Sequence, residues 1–468
     1  MSRVPGPAAA AGAGATRGAA GSAAADGLLS VEDALGRILR FVTPGPTEVV
    51  SLDDALGRVL AEAVTATTSL PPWDNSAMDG YAVRSADTRL AGEAAPESRR
   101  SLEVVGEVAA GVAPTVRVEA GSAIRIATGA QLPPGADAVV EVESTTPLGA
   151  DGSAGPRGRD ATGPLPARIL VHRAVEPGTN IRRLGSDLRA GDVVLEPGRA
   201  IGASQIALLA GAGIPRTRVH VRPLVGVLAT GDEIRPPGEA LGDAGIPDAN
   251  GPGLRALVRR SGAEPLDLGI ARDLRDDVLE RLRRAIDAGC AAVVVAGGVS
   301  VGPYDVVKAA FEALGRVDVW RVAVQPGKPF ALGVVERPGR PAVLLFGLPG
   351  NPVSGLVTFE LFVRPAIRSM TGRRSLFRAL DRGLLLDEAR TAPGRRAYLR
   401  ATAEREPDGR IARDSSGRVR LRLARGPAGQ GSHVLSALAD AEALAIVPEA
   451  TEIHRAGDPV DLLWLDSE

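Results

Sequence analysis

With one cysteine in 468 residues the chain cannot close an internal disulfide, and Cys290, beside the apolar run 291–296, reads as a buried structural thiol rather than a nucleophile. That economy suits a reducing, cytoplasmic setting. No apolar stretch reaches the roughly 18 residues a membrane helix needs, so no membrane partner is expected. Charge of one sign is lacking as well. Against 55 Lys and Arg stand 56 Asp and Glu, leaving no global field to draw the chain to nucleic acid. A small-molecule partner is expected instead. Residues 1–27 are mostly Ala and Gly without a compact hydrophobic block, and they read as a disordered tail rather than a signal peptide.

What is present divides the chain into several domains, since 468 residues exceed one core. Residues 29–41 are expected to form an amphipathic helix with Ser30 as N-cap and Asp33 three residues on, and a second short helix is expected near 53–59. Residues 64–142 are strand-like and punctuated by Gly and Pro, as in a small β domain. The Gly-, Ala- and Pro-rich segment 147–166 reads as a flexible surface insertion, and 201–212 as a helix. From 222 to 370 apolar strands alternate with helices, the pattern of a parallel α/β domain. Short alternating segments over 379–465 predict a terminal β domain.

The most informative stretch is Leu348-Pro349-Gly350-Asn351-Pro352-Val353-Ser354, a rigid turn between an apolar strand and an apolar helix. Free N–H groups and the helix dipole at such a junction favour an anion. Ligands of open α/β sheets bind outside the carboxyl ends of strands. Four further strand ends carry polar punctuation: Thr230-Gly231-Asp232-Glu233, Ala271-Arg272-Asp273, the glycine loop from Gly297 and Gly298 through Ser300 to Asp305, and Gln325-Pro326-Gly327-Lys328-Pro329 after 322–324. Each alone is an ordinary turn. Together, glycine loops, one lysine and four carboxylates suit a phosphorylated ligand held with a divalent cation. Residues 71–82 add a polar run containing Trp73, Met78, Asp79 and Tyr81, read as a binding loop, while 125–130 and 180–187 are either similar loops or plain turns.

The runs Asn-Ser-Ala-Met-Asp-Gly-Tyr-Ala at 75–82, Gly-Gly-Val-Ser-Val-Gly at 297–302, Pro-Gly-Lys-Pro at 326–329 and Leu-Pro-Gly-Asn-Pro-Val-Ser at 348–354 occur here in one order. By them the chain resembles the molybdopterin molybdenumtransferases, which are similar to the E domain of gephyrin. The resemblance implies an α/β multidomain protein: a discontinuous α+β domain I at 28–62 plus 168–221 for dimerisation, an inserted β-rich domain II at 63–167, a Rossmann-like molybdopterin-binding domain III at 222–374, and a β-barrel-like domain IV at 375–468. It implies a cytoplasmic homodimer with its active site shared between subunits. The implied reaction consumes adenylylated molybdopterin and molybdate with Mg²⁺ and releases AMP and molybdenum cofactor. The implied catalytic residues are Asp79, acting in trans, with Asp232, Glu233, Asp273 and Asp305. Asp232 and Asp305 are the candidates for Mg²⁺. Substrate contacts are implied for Thr128, Asp187, Gly297, Gly298, Ser300, Pro349, Gly350, Asn351 and Pro352, and oxyanion contacts for Lys328, Ser354, Arg400 and Ser432.

Departures from the family pattern are local. Gln325 and Arg321 stand where lysines are common, which removes one cation from the rim, and 246–250 lacks the usual aromatic ring and hydroxyl. Pro303 replaces a frequent acidic residue near Asp305. An adenylyltransferase and a non-catalytic scaffold remain as alternatives, the first opposed by the flanking domains and the second by the acidic rim.

Overall fold

The computed structural model describes residues 28–89, 101–158, 163–298 and 306–465. The expected N-terminal tail, Ser300 and Asp305 lie outside them. Two compact units emerge, one of residues 1–44, 222–371 and 375–468, the other of 45–221 with 372–374.

In the first unit, six strands form a sheet in the order Glu264–Ala271, Leu224–Thr230, Ala292–Ala296, Arg340–Leu348, Pro329–Arg337, Arg316–Arg321. The first four run parallel, and the last two are antiparallel additions. Alternation along the central strands serves two cores. Val294 and Phe346 point to a face covered by Leu254, Val258 and Phe362, whereas Val293, Val295 and Leu345 meet Val278, Leu282 and Phe311 on the other. Between Leu224–Thr230 and Ala292–Ala296 the strand order reverses direction, which opens a crevice at their carboxyl ends. Cys290 is fully buried in this core, and burial pushes its thiol up to about 11, so it is chemically quiet.

Helix Val31–Leu39 starts as expected, with the Asp33 N–H donating to Ser30 Oγ at 3.0 Å. Val31, Ala34 and Ile38 bury into the core of the α/β sheet.

The residues after Val322 depart from expectation. Val324–Gln325 is not a strand of the α/β sheet, because it pairs with Arg396–Ala397 of the C-terminal domain. Pro329, the next residue after Lys328, nonetheless lines the crevice, since Pro329–Arg337 runs antiparallel to Arg340–Leu348 and starts near where that strand ends.

The C-terminal domain is a closed five-stranded barrel: Arg396–Ala403, Val419–Leu423, Leu380–Leu385, Pro459–Trp464 and Ala443–Val447, with the last pairing back to the first. Its interior is lined by small and branched side chains such as Ala397, Leu399, Ala401, Leu421 and Ala445. Tyr398 and Arg400 alternate to the outer face, and Tyr398 with Leu444 joins the α/β core.

The second unit holds a six-stranded sheet in the order Ala138–Glu141, Gly80–Val83, Ser122–Ile126, Ser101–Val108, Arg168–Val171, Thr145–Leu148. The segment read as an insertion from 147 therefore begins in a strand, with Pro147 and Leu148 opposite Ile169 and Arg168. Helix Ala203–Gly211 forms as expected. The helix expected near 53–59 does not. Ser51 Oγ donates to the Asp54 carboxylate and accepts from its N–H, Gly57 takes φ +73°, and the chain turns instead.

Candidate functional site

The crevice of the α/β sheet is a cleft of about 480 Å³, within the range of small-molecule sites. Gly297, Gly298, Pro349, Gly350, Asn351 and Pro352 line it with Glu233 and Asp273, so most of the residues expected at these strand ends come together. Backbone, not side chain, forms much of the wall. Gly297 has φ +102° and donates its N–H to Leu348 O, and a Cβ there would sit 2.6 Å from Thr230 O and Oγ1. A Cβ on Gly350 would in turn lie 3.5 Å from Gly297 Cα, so the two glycine turns close on each other.

Asp248 and Asn250 also line the cleft and are absent from the expected site residues, although the unusual 246–250 segment signalled them. Asn250 Nδ2 donates to Gly350 O at 2.7 Å, while its Oδ1 is buried without a protein partner. Asp248 Oδ1 accepts the Gly251 N–H at 2.8 Å and anchors the start of helix Asn250–Arg260.

On the acidic side, Asp273 donates its N–H to Asp232 Oδ1 at 3.2 Å. Desolvation at the cleft, with the Asp232 and Glu233 charges, holds the Asp273 carboxyl above the usual carboxylate range. A folded state that retains this proton loses stability as pH rises through the ordinary carboxylate range to the raised value, and keeps that penalty above it. Asp273→Asn should therefore melt higher than the parent at pH 8, with the difference vanishing towards pH 3. Parallel melting curves at both pH values would contradict this.

Lys328, Ser354, Arg400 and Ser432 do not line the cleft themselves, but a chain of bonds leads from its rim to the barrel. Asn351 Nδ2 donates to Ser432 Oγ at 3.1 Å. Next to Ser432, Gly431 O accepts from Arg400 Nη2 at 3.1 Å, as does Gly429 O at 3.0 Å. Arg400 is 1% exposed, no carboxylate among the described residues pairs with it, and its Nε has no partner. Burial alone brings its pKa down to about 10, which leaves a desolvated cation at neutral pH. Ser354 is buried in the first turn of helix Pro352–Thr358, and its carbonyl accepts from Thr358 Oγ1 at 2.7 Å. Gln325, expected only as a missing charge, plays a structural part, since its Oε1 accepts the Ala392 N–H at 2.8 Å.

In the other unit the three polar runs converge. Asp79 Oδ1 accepts from Thr128 N at 2.7 Å and from Thr128 Oγ1 at 2.9 Å. Asp74 accepts from Arg183 Nη1 and from the Leu184 N–H, both at 2.7 Å, and Asp187 donates its N–H to Leu70 O. Asp79 and Asp187 are thus exposed on neighbouring loops, beside the exposed apolar side chains of Trp73, Met78 and Leu184.

Three family models cover the chain in order: the MoeA N-terminal region (domain I and II) at 29–213, a probable molybdopterin binding domain at 226–369, and the MoeA C-terminal region (domain IV) at 382–465. Molybdopterin molybdenumtransferase 1 of Mycobacterium tuberculosis is 34% identical over 453 residues, spanning 93% of this chain and 99% of the relative. The chain belongs to the MoeA family. A second relative, molybdopterin molybdenumtransferase of Nostoc, is 38% identical over 327 residues, 70% of each chain. The MoeA fold also matches the crystal structure of the molybdopterin biosynthesis MoeA protein from Pyrococcus horikoshii at 29% identity and TM-score 0.72, covering 93% of this chain and all of that one. Among the described residues no helix of this MoeA chain is long and apolar enough to cross a membrane.

Proposed function

We propose that this chain is a transferase that inserts molybdate into adenylylated molybdopterin, releasing AMP and molybdenum cofactor. The observation that supports the reading best is the path from Asn351 by a hydrogen bond to Ser432, along the chain to Gly431, and by a hydrogen bond to Arg400, which links the backbone-lined cleft to a buried cation with no carboxylate partner among the described residues. Molybdate is a tetrahedral dianion, and Arg400, Lys328 and the Ser354 and Ser432 hydroxyls are the donors proposed for it. Gly297, Gly298 and the turn 349–352 would hold the organic substrate by close backbone approach.

Asp232, Glu233, Asp273 and Asp305 form the acidic side of the proposed machinery. Mg²⁺ binds one or two carboxylates and keeps several waters, so Asp232 with Asp305 is a donor set of the right kind, although among the described residues no three ligating side chains gather around one point. When bound, Mg²⁺ would offset phosphate charge. Asp79, oriented by its two bonds from Thr128, and Asp187 are proposed to complete the site from the second subunit of a homodimer. That dimer, the four-domain division with 28–62 and 168–221 as domain I, and a cytoplasmic location belong to the same proposal. An adenylyltransferase is not favoured, because the Mycobacterium tuberculosis relative named molybdenumtransferase matches over 93% of the chain and the C-terminal family model covers 382–465.

AMP release from purified adenylylated molybdopterin, followed against molybdate concentration, tests the reading. Release should rise with molybdate and saturate. Release independent of molybdate, or adenylylation of molybdopterin by ATP, would overturn it.

A further inference from the structure

Among the described residues only two that are not glycine take a left-handed backbone, Arg425 and Asn180. Asn180, at φ 55°, lies in the unit that carries Asp79. Asparagine enters this conformation at little cost, because its short polar side chain can bond locally. Here the side chain reaches across to a strand instead. Its Nδ2 donates to Val139 O and to Glu141 Oε2, both at 3.0 Å, and since both partners are acceptors the amide can face them only through nitrogen. The Asn180 carbonyl accepts the Ala77 N–H at 2.8 Å.

These bonds bracket Asp79. Ala77 lies two residues before it, while on the far side Gly80 stands opposite Glu141 in register and the Val142 N–H donates to Asp79 O at 3.0 Å. One residue therefore holds both flanks of the loop, the entry by its carbonyl and the strand that pairs with the exit by its amide. Directly after it, Ile181 and Arg182 pair with Ser76 and Asn75, and Ser76 O accepts the Gly129 N–H at 2.8 Å, so the Thr128 turn is carried on the same short ladder. Glu141 is itself held, by Ser144 Oγ at 2.7 Å and Arg173 at 3.5 Å. The bonds between Asp79 and Thr128 fix those two residues to each other, and Asn180 ties the loop that bears them to the sheet.

We infer that Asn180 is a positioning residue of the transfer reaction, acting through Asp79 by fixing the place from which that carboxylate is presented. The inference rests on the proposed role of Asp79. A part in folding alone predicts a lower melting temperature at unchanged kcat, whereas positioning predicts a lower kcat that depends on the presence of the Asp79 carboxylate.

Molybdate-dependent AMP release by the full chain, measured for Asn180→Gly, Asp79→Asn and the double variant, tests this. Glycine takes φ 55° freely, so Asn180→Gly removes the amide and leaves the backbone its conformation. It should lower kcat about 10–10²-fold, the cost of a misplacement of about 1 Å, with KM within about twofold. In the Asp79→Asn background the same change should cost less than about twofold. Asn180→Asp keeps the size and the backbone but sets a carboxylate against Glu141, and should lose at least as much. Amide exchange over 75–82, followed by mass spectrometry, should quicken about tenfold in both single variants at Asn180. Full kcat in Asn180→Gly, an equal loss with and without the Asp79 carboxylate, or unchanged exchange would overturn the inference. Full turnover in Asp79→Asn would refute the role of Asp79 and the inference with it. Faster exchange in a chain whose parent shows no molybdate-dependent release would instead refute the proposed reaction and leave the hold of Asn180 on the loop standing.

Discussion

Replacing Arg400 with methionine is expected to cut molybdate-dependent turnover about 10²–10³-fold, the usual loss when one oxyanion donor is removed. Stability should change little. Two opposed effects decide this. Removing a buried charge that has no carboxylate partner among the described residues relieves a desolvation penalty of several kcal/mol, whereas leaving the Gly429 and Gly431 carbonyls without their donor costs about 1–3 kcal/mol each. The terms are of similar size, so the net shift should stay within about 1–2 kcal/mol. Molybdate should raise the melting temperature of the parent by ligand linkage and not that of the variant. A large drop in melting temperature would show Arg400 to be structural, and full turnover would remove it from the oxyanion site.

Gly297→Ala should be more damaging to the fold. Holding alanine at φ +102° costs about 1–3 kcal/mol, and its Cβ would meet the immobile Thr230 carbonyl at 2.6 Å, adding about 1–3 kcal/mol of overpacking. A combined loss of about 2–6 kcal/mol, together with lost turnover, is expected. Gly57→Ala supplies the control, because Gly57 has φ +73° but nothing within 4 Å of the added methyl. It should lose only the backbone part and keep full turnover. Equal effects at both positions would mean that close packing of the glycine turns does not matter.

Much of this is legible in the sequence, for reasons that also explain the failures. Runs such as Ala292–Ala296 and the apolar part of Arg340–Leu348 are buried on both faces, so they stand out as continuous apolar segments. The run 322–324 looks equally apolar, but Val324–Gln325 pairs with Arg396–Ala397 far along the chain, and periodicity carries no information about pairing. The turn at 52–58 resembles a helix because its acids suit a helix start, while the Ser51–Asp54 bonds that divert the chain are a matter of geometry. In the site, motif residues mark the cleft walls, and Gly297, Gly350 and Asn351 are there. The structural part played by Gln325 is not legible, since its acceptor role depends on Ala392 in another domain.

The excursion of the chain at 324–325 has a mechanical consequence. The barrel is joined to the α/β domain through residues 371–378, but it also grips that domain by the strand pair Val324–Gln325 with Arg396–Ala397 and by the Gln325 side chain on Ala392. With Tyr398 and Leu444 packed into the α/β core as well, it hangs on several moorings rather than one. Force applied to the C-terminus must tear a piece of β-sheet before the barrel can swing, so the Ser432 hydroxyl stays in register with Asn351 under loads that a single linker would not resist.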